Sequence, residues 1–376
     1  MPVDLDEMFR ALRVDADALP LNPPQQARRL GRRHRLVRAT AIFVVTCTAI
    51  VGATAVATPL GRNLMTWGGD GPPSTPARLT FDAKADVVNG LAYSPDGQWV
   101  ATAGQDGGVR LWDAQTGALT TTFTMPAAVV ISVAFSPDGT TLAASDASGA
   151  IRFWDRATGQ AIRTLTADRS GPVTDIAFSP DGLTLAAASE DGPVRLWPTV
   201  GGSPTIIRAP NVRIIQLALS PDGRSLVTGG QTVNQQGREG GVGLWDTTTL
   251  ASAQNLDAVT DMILSVAFSP DGRTFAAGGN GRVWLWEKGS ASPRAELVAG
   301  TGRGVRIVND LAFSPDGRWL ATAGYKQATK LWDVATGRLV ASFDGPGDGM
   351  STVAFSPDGR TLAGAGGGEV RLWDVP

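Results

Sequence analysis

The side chains that most often perform enzyme chemistry are scarce in this chain. Among its 376 residues there is one histidine, His34, and one cysteine, Cys47. A nucleophilic triad needs a histidine beside its serine or cysteine, and a structural zinc site needs about four Cys or His ligands. His34 lies in an arginine-rich run, where a solvated side chain is expected. The sequence therefore predicts no catalytic residues, no metal site, no cofactor and no intrachain disulfide.

Carboxylates are more numerous, and seven of them recur in one four-residue motif. Ser-Pro-Asp-Gly begins at positions spaced 42, 43, 41, 49, 45 and 42 residues apart, namely Ser94, Ser136, Ser179, Ser220, Ser269, Ser314 and Ser356. Proline presets the second position of a tight turn, Asp suits the third, and Gly ends the turn without strain. Because one aspartate per repeat does not converge on a single metal ion, we interpret these residues as turn formers.

A tryptophan follows each motif at a nearly constant distance. The separation is 17 or 18 residues in six repeats and 25 in the fourth, and the tryptophans are Trp112, Trp154, Trp197, Trp245, Trp286, Trp332 and Trp373. A period in the low forties with a tryptophan at fixed phase is typical of a β-propeller with one blade per repeat. The predicted fold is therefore all-β, a seven-bladed propeller of four-stranded blades. Whether two carboxylates face each other across its central channel is not visible in the sequence.

The third strands end in residues that resemble the signature of the WD-repeat family. Aspartate follows the tryptophan in five repeats, whereas Pro198 and Glu287 follow it in the other two. The family's Gly-His dipeptide is absent, and its tight-turn aspartate, six residues before the tryptophan, is present only as Asp106 and Asp191. The remaining repeats have at that position Ser148, Glu239, Asn280, Lys326 and Gly367. The resemblance covers roughly residues 77–376 and implies a protein-binding propeller without the family's buried His-Asp network.

The two ends of the repeat region are complementary. The seventh repeat ends after its third strand, and Arg78–Phe81 matches outer strands such as Leu119–Phe123. We therefore expect residues 77–82 to complete the seventh blade, since pairing the ends removes exposed sheet edges.

Three segments precede the repeats. Residues 1–38 hold eight arginines against five acids, residues 39–58 carry no charge, and residues 59–76 are rich in Gly and Pro. An apolar helix of this length spans about 30 Å, which is the thickness of a bilayer core, and arginine-rich flanks stay cytoplasmic. The sequence predicts a bacterial-type, single-pass cell-membrane protein. Its parts are a cytosolic tail (1–38) with a basic juxtamembrane cluster, a transmembrane helix (39–58), a linker (59–76) and an extracytoplasmic propeller (77–376).

Two alternatives for residues 39–58 stay open. Ala53-Thr54-Ala55 resembles a small-residue cleavage site, so the segment could be a cleaved signal. The protein could also be a soluble cytosolic scaffold whose apolar segment does not cross a membrane. In either case the net charge of -2 gives no reason to expect a nucleic-acid partner.

Two irregularities of the repeats indicate a partner-binding face. The fourth repeat carries an insertion from Gln231 to Gly240, and the approach to the sixth repeat is lengthened between Gly300 and Arg306. In the WD-repeat resemblance both loops lie on one face, and loops on a rigid scaffold commonly bind partners. The candidate partner-binding residues are Asn234, Gln235, Gln236, Arg238, Glu239, Arg303, Arg306, Tyr325 and Lys326.

The favoured function is a non-catalytic scaffold that binds a protein or peptide on this face, in signalling or assembly. The first alternative is an enzyme or small-ligand sensor that uses the central channel, and converging carboxylates or ordered polar side chains there would favour it. The oligomeric state does not follow from the sequence.

Overall fold

The described part of the chain begins just ahead of the first repeat. The computed structural model describes residues 74–376 except 126–128, 167–170, 209–211, 235–236, 255, 257–258, 260–261, 300–306, 326–327 and 347–348. The predicted tail, the predicted transmembrane helix and most of the predicted linker lie outside the described residues. Within the described part, no helix has the length and hydrophobicity that crossing a membrane requires.

The described residues form twenty-nine β-strands and no helix. In chain order the strands are β1 (Ser74–Thr75), β2 (Leu79–Asp82), β3 (Val88–Tyr93), β4 (Trp99–Gly104), β5 (Gly108–Asp113), β6 (Leu119–Thr124), β7 (Val130–Phe135), β8 (Thr141–Asp146), β9 (Ala150–Asp155), β10 (Ala161–Thr166), β11 (Val173–Phe178), β12 (Thr184–Ser189), β13 (Val194–Pro198), β14 (Thr205–Ile207), β15 (Val212–Leu219), β16 (Ser225–Asn234), β17 (Gly237–Asp246), β18 (Ser252–Gln254), β19 (Ser265–Phe268), β20 (Thr274–Gly278), β21 (Arg282–Glu287), β22 (Ala295–Val298), β23 (Ile307–Phe313), β24 (Trp319–Tyr325), β25 (Thr329–Asp333), β26 (Leu339–Phe343), β27 (Thr352–Phe355), β28 (Thr361–Gly366) and β29 (Glu369–Asp374).

Each repeat forms one antiparallel sheet, and the seven sheets are arranged as the blades of a closed ring. Blades one to five are β3–β6, β7–β10, β11–β14, β15–β18 and β19–β22, in strand order from the inside outward. Blade six is β23–β26 with β1 added, and blade seven is β27–β29 with β2 added. The first strands of successive blades are neighbours, and β27 lies next to β3. The predicted seven-bladed, all-β propeller is confirmed.

The ring is closed by β2, which forms the outer strand of blade seven. It pairs antiparallel with β29, from Leu79 opposite Leu372 to Asp82 opposite Glu369. The ring of Phe81 also packs on Trp112 of blade one, with centroids 4.9 Å apart. The strand therefore lies within the predicted span 77–82 and joins the last blade to the first.

A second pairing was not predicted. Ser74 and Thr75 fall in the predicted linker, yet they pair in parallel with Ser342 and Phe343 at the outer edge of blade six. The amide of Asp344 donates to the Thr75 carbonyl oxygen at 3.2 Å. The chain therefore passes from the edge of blade six to the edge of blade seven, and both contacts hold the entry of the chain on the ring.

The Ser-Pro-Asp-Gly turns are built as the sequence predicts. In the third copy the Ser179 hydroxyl donates to Asp181 at 2.5 Å, and the Thr184 amide donates to the Ser179 hydroxyl oxygen at 2.9 Å. Hydrogen bonds from the Ser179 hydroxyl and the Leu183 amide hold the pKa of Asp181 below its usual range. The serine-aspartate hydrogen bond is present in all seven turns. These carboxylates are therefore occupied in forming turns.

The seven turns also contact one another, and we call them the turn ring. Every turn glycine has a φ between 67° and 72°, a region that favours glycine. A Cβ at each glycine would lie 3.4–3.6 Å from the proline Cδ of the preceding turn, in the pairs Gly97–Pro357, Gly139–Pro95, Gly182–Pro137, Gly223–Pro180, Gly272–Pro221, Gly317–Pro270 and Gly359–Pro315. The motif therefore serves both the turn and the packing of adjacent blades.

The third-strand tryptophans pack between blades. Trp112 donates its indole N–H to Thr102 at 2.9 Å, and equivalent bonds join Trp245 to Thr228 and Trp332 to Thr322. In three other blades the indole nitrogen is buried without a partner among the described residues: Trp197, Trp286 and Trp373. The tryptophan is thus buried in six blades and half-buried in blade three, and its hydrogen bond to threonine is present in only three.

Deleting residues 77–82 should lower the melting temperature sharply, by roughly 10 °C or more. The deletion exposes the outer edge of β29 and removes the contact between Phe81 and Trp112. Differential scanning calorimetry of the full chain measures this, with Lys288→Ala as the control because Lys288 is exposed just beyond β21, in a blade that the deleted strand does not join. An unchanged melting temperature for the deletion would refute closure by this strand.

Candidate partner-binding site

The insertion in the fourth repeat is an extended β-hairpin. Strands β16 and β17 have ten residues each, against five to seven in the second and third strands of the other blades. Their pairing continues without interruption from Ser225 opposite Asp246 to Asn234 opposite Gly237. Four extra residues on each strand keep the register, so the added residues continue the sheet. We call residues 231–240 the blade-four hairpin.

This geometry corrects the prediction of a loop. Asn234 and Arg238 are strand residues, and Arg238 lies opposite Val233. Glu239 lies opposite Thr232, so it does not occupy the tight-turn position that its distance from Trp245 suggested. Sequence spacing misplaced Glu239 because a longer hairpin moves the turn away from the tryptophan. Gln235 and Gln236 lie outside the described residues.

The base of the hairpin is held by blades three and four. Strand β15 pairs with β16 as far as the first residues of the hairpin, with Val212 opposite Thr232 and Arg213 opposite Gln231. Arg213 forms an ion pair of 2.8 Å with Glu190 of blade three. A Cβ at Gly230 would collide with the Arg213 carbonyl oxygen, which explains the glycine there. The hairpin therefore rises from a three-stranded base.

Of the four candidate binding residues near blade six, the structure describes only Tyr325. Tyr325 ends β24 and forms an isolated antiparallel bridge with Gly349. Arg303, Arg306 and Lys326 lie outside the described residues. Tyr325 is thus a neighbour of the loop that enters blade seven, and its proximity to the blade-four hairpin stays a prediction.

Two arginines of third strands are neutralised within their own blades. Arg110 pairs with Asp106, and Arg195 pairs with Asp191 at 2.8 Å. Both guanidinium groups are largely buried. The two tight-turn aspartates that the sequence singled out therefore each bind an arginine of their own blade.

A polar ring that sequence reasoning missed lines the central channel. It is formed by the residue four positions before each turn serine, and we call it the channel girdle: Gly90, Ser132, Asp175, Gln216, Ser265, Asp310 and Thr352. Each lies on a first strand and is followed by an apolar residue, and all but Gly90 are polar. The signal that could have found the girdle was a polar residue four positions before the turn serine in six of the seven repeats.

Hydrogen bonds of the girdle run from blade to blade. Asp175 accepts from the Leu217 amide at 3.1 Å, and Gln216 accepts from the Val266 amide at 2.7 Å. In the same way, Ser265 accepts from the Leu311 amide, and Asp310 accepts from the Val353 amide, both at 2.9 Å. Four of the seven girdle residues therefore accept a hydrogen bond from a backbone amide of the next blade.

Asp310 is the most heavily bonded member. Its Oδ1 accepts from Gln216, Ser265 and the Leu311 amide at 3.2, 3.1 and 2.9 Å. Its Oδ2 accepts from the Thr352 hydroxyl at 2.8 Å and also from the Val353 amide. Burial raises the pKa of Asp310, and these donors oppose the shift. Asp310 therefore joins blades four to seven across the channel.

Asp175 is the second channel carboxylate. Its Oδ1 accepts from Ser132 at 2.8 Å and from the Ile176 amide at 2.9 Å. Burial raises the pKa of Asp175 to about 7, and the negative charge of Asp310 acts in the same direction. The carboxylate pair that the sequence left open thus exists, but all four oxygens accept hydrogen bonds from the blades. No group of three or more metal-ligating side chains converges within the described part of the chain.

One protein family has a repeat model that matches six segments of this chain. A family model described as WD domain, G-beta repeat matches residues 77–113, 117–155, 159–198, 252–287, 298–333 and 337–374. Five of the six matched segments combine an outer strand with the first three strands of the next blade, and 298–333 begins at the last residue of β22. The unmatched segment, 199–251, contains the blade-four hairpin. No curated protein matches the chain.

Asp175 should make the propeller less stable at pH 8 than at pH 5. Its pKa is about 7 in the folded protein and about 4 in an unfolded chain. The folded state therefore binds more protons between these values, and the stabilisation is full below about pH 4 and lost as pH rises through 7. The turn aspartates do not interfere, because their pKa values are lowered.

The free energy of unfolding should fall by about 1–3 kcal/mol from pH 5 to pH 8 in the wild type, relative to Asp175→Asn. Urea denaturation at the two pH values measures this. An Asp175→Asn variant with the same pH dependence as the wild type would contradict the assignment.

Proposed function

Because the chain belongs to the WD domain, G-beta repeat family, we propose that it is a non-catalytic scaffold holding a protein or peptide partner. Members of this family are generally protein-interaction scaffolds. The observation that carries the proposal is the blade-four hairpin, which lengthens the second and third strands of its blade to ten residues each. Among the described residues, the second and third strands of the other blades have five to seven.

The proposal includes a place in the cell. Residues 39–58 anchor the chain in the cell membrane, the arginine-rich residues 28–38 stay in the cytosol, and the propeller faces outward in a bacterial-type envelope. The uncharged stretch and its basic flank support this arrangement. Such a protein couples an extracytoplasmic partner to its cytosolic tail in signalling or assembly.

The channel girdle is the observation in favour of a second candidate, a small-ligand sensor or enzyme acting in the channel. However, each carboxylate oxygen of Asp175 and Asp310 already accepts a hydrogen bond. A ligand would have to replace several such bonds at once, leaving buried amides unpaired at a cost of about 1–3 kcal/mol each. The scaffold is therefore the better-supported function.

Trimming the hairpin should weaken partner capture about tenfold, equivalent to about 1.4 kcal/mol. Gly230 lies opposite Gly241, so a two-residue Asn-Gly turn can replace residues 231–240 without a change of register. Crosslinked pull-down from intact membranes with quantitative mass spectrometry measures capture. A second variant replaces Arg238, Arg303 and Arg306 by alanine.

The matched control replaces three exposed arginines beside the turn ring by alanine: Arg224, Arg273 and Arg360. It removes the same charge from other positions and should leave capture unchanged. Full capture by both hairpin variants would refute the proposed site.

Membrane anchoring should appear in fractionation. The intact chain is expected in the membrane fraction, released by detergent and not by high salt, and deletion of residues 39–58 should make it soluble. Immunoblotting of the fractions measures this. Uncleaved wild-type chain in the soluble fraction would support the cytosolic alternative, and a membrane-free chain shortened by the first 55 or so residues would indicate a cleaved signal.

A further inference from the structure

Blade three carries large aliphatic side chains at two positions where the other blades carry polar or smaller ones. Directly after its turn glycine it has Leu183, which is 62% exposed. Three residues after its tryptophan it has Val200, which is 91% exposed. Residues 171–208 are described without a gap, so both side chains belong to a fully described part of the surface. We call Leu183 and Val200 the aliphatic tip.

The other six blades provide an internal comparison. At the position of Leu183 they have Gln98, Thr140, Arg224, Arg273, Arg318 and Arg360. At the position of Val200 they have Gln115, Ala157, Thr248, Gly289, Ala335 and Pro376. Single exposed aliphatic side chains are ordinary on protein surfaces. Two at neighbouring sites of one blade, in a repeat that has none at either site elsewhere, indicate a specialised surface.

The aliphatic tip is held in place by hydrogen bonds around the loop that follows β13. The Thr199 amide donates to the Leu183 carbonyl oxygen at 2.9 Å, and the Thr199 hydroxyl donates to the Gly182 carbonyl oxygen at 2.7 Å. From blade two, the Arg163 guanidinium donates to the Pro198 carbonyl oxygen at 3.0 Å. The two aliphatic side chains are therefore neighbours on the folded rim of blade three.

The aliphatic tip and the blade-four hairpin lie at opposite ends of the blades. Thr184 pairs with Pro198, so the loop with Val200 leaves blade three at the same end as its turn. All seven turns lie at that end, which we call the turn end, because each turn contacts the preceding one. Strand β16 starts at the turn end, and its ten residues, at about 3.3 Å each, place Asn234 about 30 Å away.

The small size of the aliphatic tip favours a lipid bilayer over a protein as its partner. A stable protein interface buries roughly 800 Å² on each side, far more than two side chains supply. Insertion of a few apolar side chains at the boundary of headgroups and acyl chains is weak by itself. It is sufficient for a domain that is already tethered to the bilayer, because the tether raises the effective concentration.

The chain supplies such a tether, and here the inference rests on the proposed function, in which residues 39–58 span the membrane. Residues 59–73 separate that segment from Ser74, the first residue of β1. A chain of this length extends to at most about 50 Å. Because β1 and β2 attach the entering chain to blades six and seven, the propeller then stays within that distance of the bilayer surface.

We propose that the propeller rests with its turn end on the lipid surface and inserts Leu183 and Val200 between headgroups and acyl chains. Both side chains are apolar, and insertion removes them from water. Ile162, which is exposed on the neighbouring outer strand β10, extends the apolar surface toward blade two. The same orientation directs the blade-four hairpin away from the membrane, where an extracytoplasmic partner can reach it.

The test compares two exposed valines at opposite ends of the blades. The full-length chain with Cys47→Ser carries either Val200→Cys or Val298→Cys, labelled with an environment-sensitive fluorophore, in nanodiscs of phosphatidylcholine. Val298 is the matched control, because it is 45% exposed and lies opposite Arg282, at the end of blade five that is remote from the turns. Phosphatidylcholine carries no net charge, so the measurement reports insertion and not attraction between charges.

Quenching by nitroxide-labelled lipid and by aqueous iodide measures the surroundings of each label. The label at position 200 should be quenched at least threefold more strongly by the lipid, and at least threefold more weakly by iodide, than the label at position 298. Leu183→Ser in the same labelled chain should lower the lipid quenching at position 200, because it removes the neighbouring aliphatic side chain. If that variant does not fold, the two labelled chains decide alone.

Equal quenching of the two labels, or lipid quenching at position 298 alone, would overturn the inference. Shielding of position 200 from iodide in intact membranes, without lipid quenching in nanodiscs, would also overturn it and assign the aliphatic tip to a protein partner. If the chain enters nanodiscs while position 200 stays open to iodide, membrane anchoring stands and the orientation is wrong. A chain that does not enter nanodiscs would refute both.

Discussion

The structure depends on the requirement that strand edges find hydrogen-bond partners. Seven twisted sheets can share one core only if the last is joined to the first, and an open ring would expose two unpaired blades. β2 meets this requirement by completing blade seven from the opposite end of the repeat region. β1 adds a second attachment one blade earlier. Because both strands come from the same entering segment, the stability of the ring is coupled to the position of that segment.

Two sets of interactions, the turn ring and the channel girdle, hold the inner strands together. The turn ring joins adjacent blades through contacts between glycine and proline, and it needs the fixed backbone geometry of Ser-Pro-Asp-Gly. The channel girdle joins them through side chains that accept hydrogen bonds from the next blade. Asp175 and Asp310 belong to this girdle, and their carboxylate oxygens accept hydrogen bonds from neighbouring blades. The two carboxylates therefore join the inner strands of neighbouring blades.

Blade four shows how a repeat protein accommodates an insertion without disturbing its ring. The inserted residues extend two strands symmetrically and keep the register below them. The lengthened strands keep the pairing of their inner neighbour β15, and the closing strand β2 lies on another blade. The insertion therefore changes one hairpin and leaves the closure of the ring as it is.

The sequence by itself determined the repeat number, the turns and the closing strand, because these depend on local turn chemistry and on a period that a single chain displays. It also located the insertion, but not its form, since pairing of Thr232 with Glu239 is decided between strands. The attachment of Ser74 and Thr75 and the convergence of Asp175, Gln216 and Asp310 were decided only in the tertiary structure. Residues a blade or more apart in the chain meet there because the ring brings equivalent positions to one channel, and no spacing along the sequence records that distance.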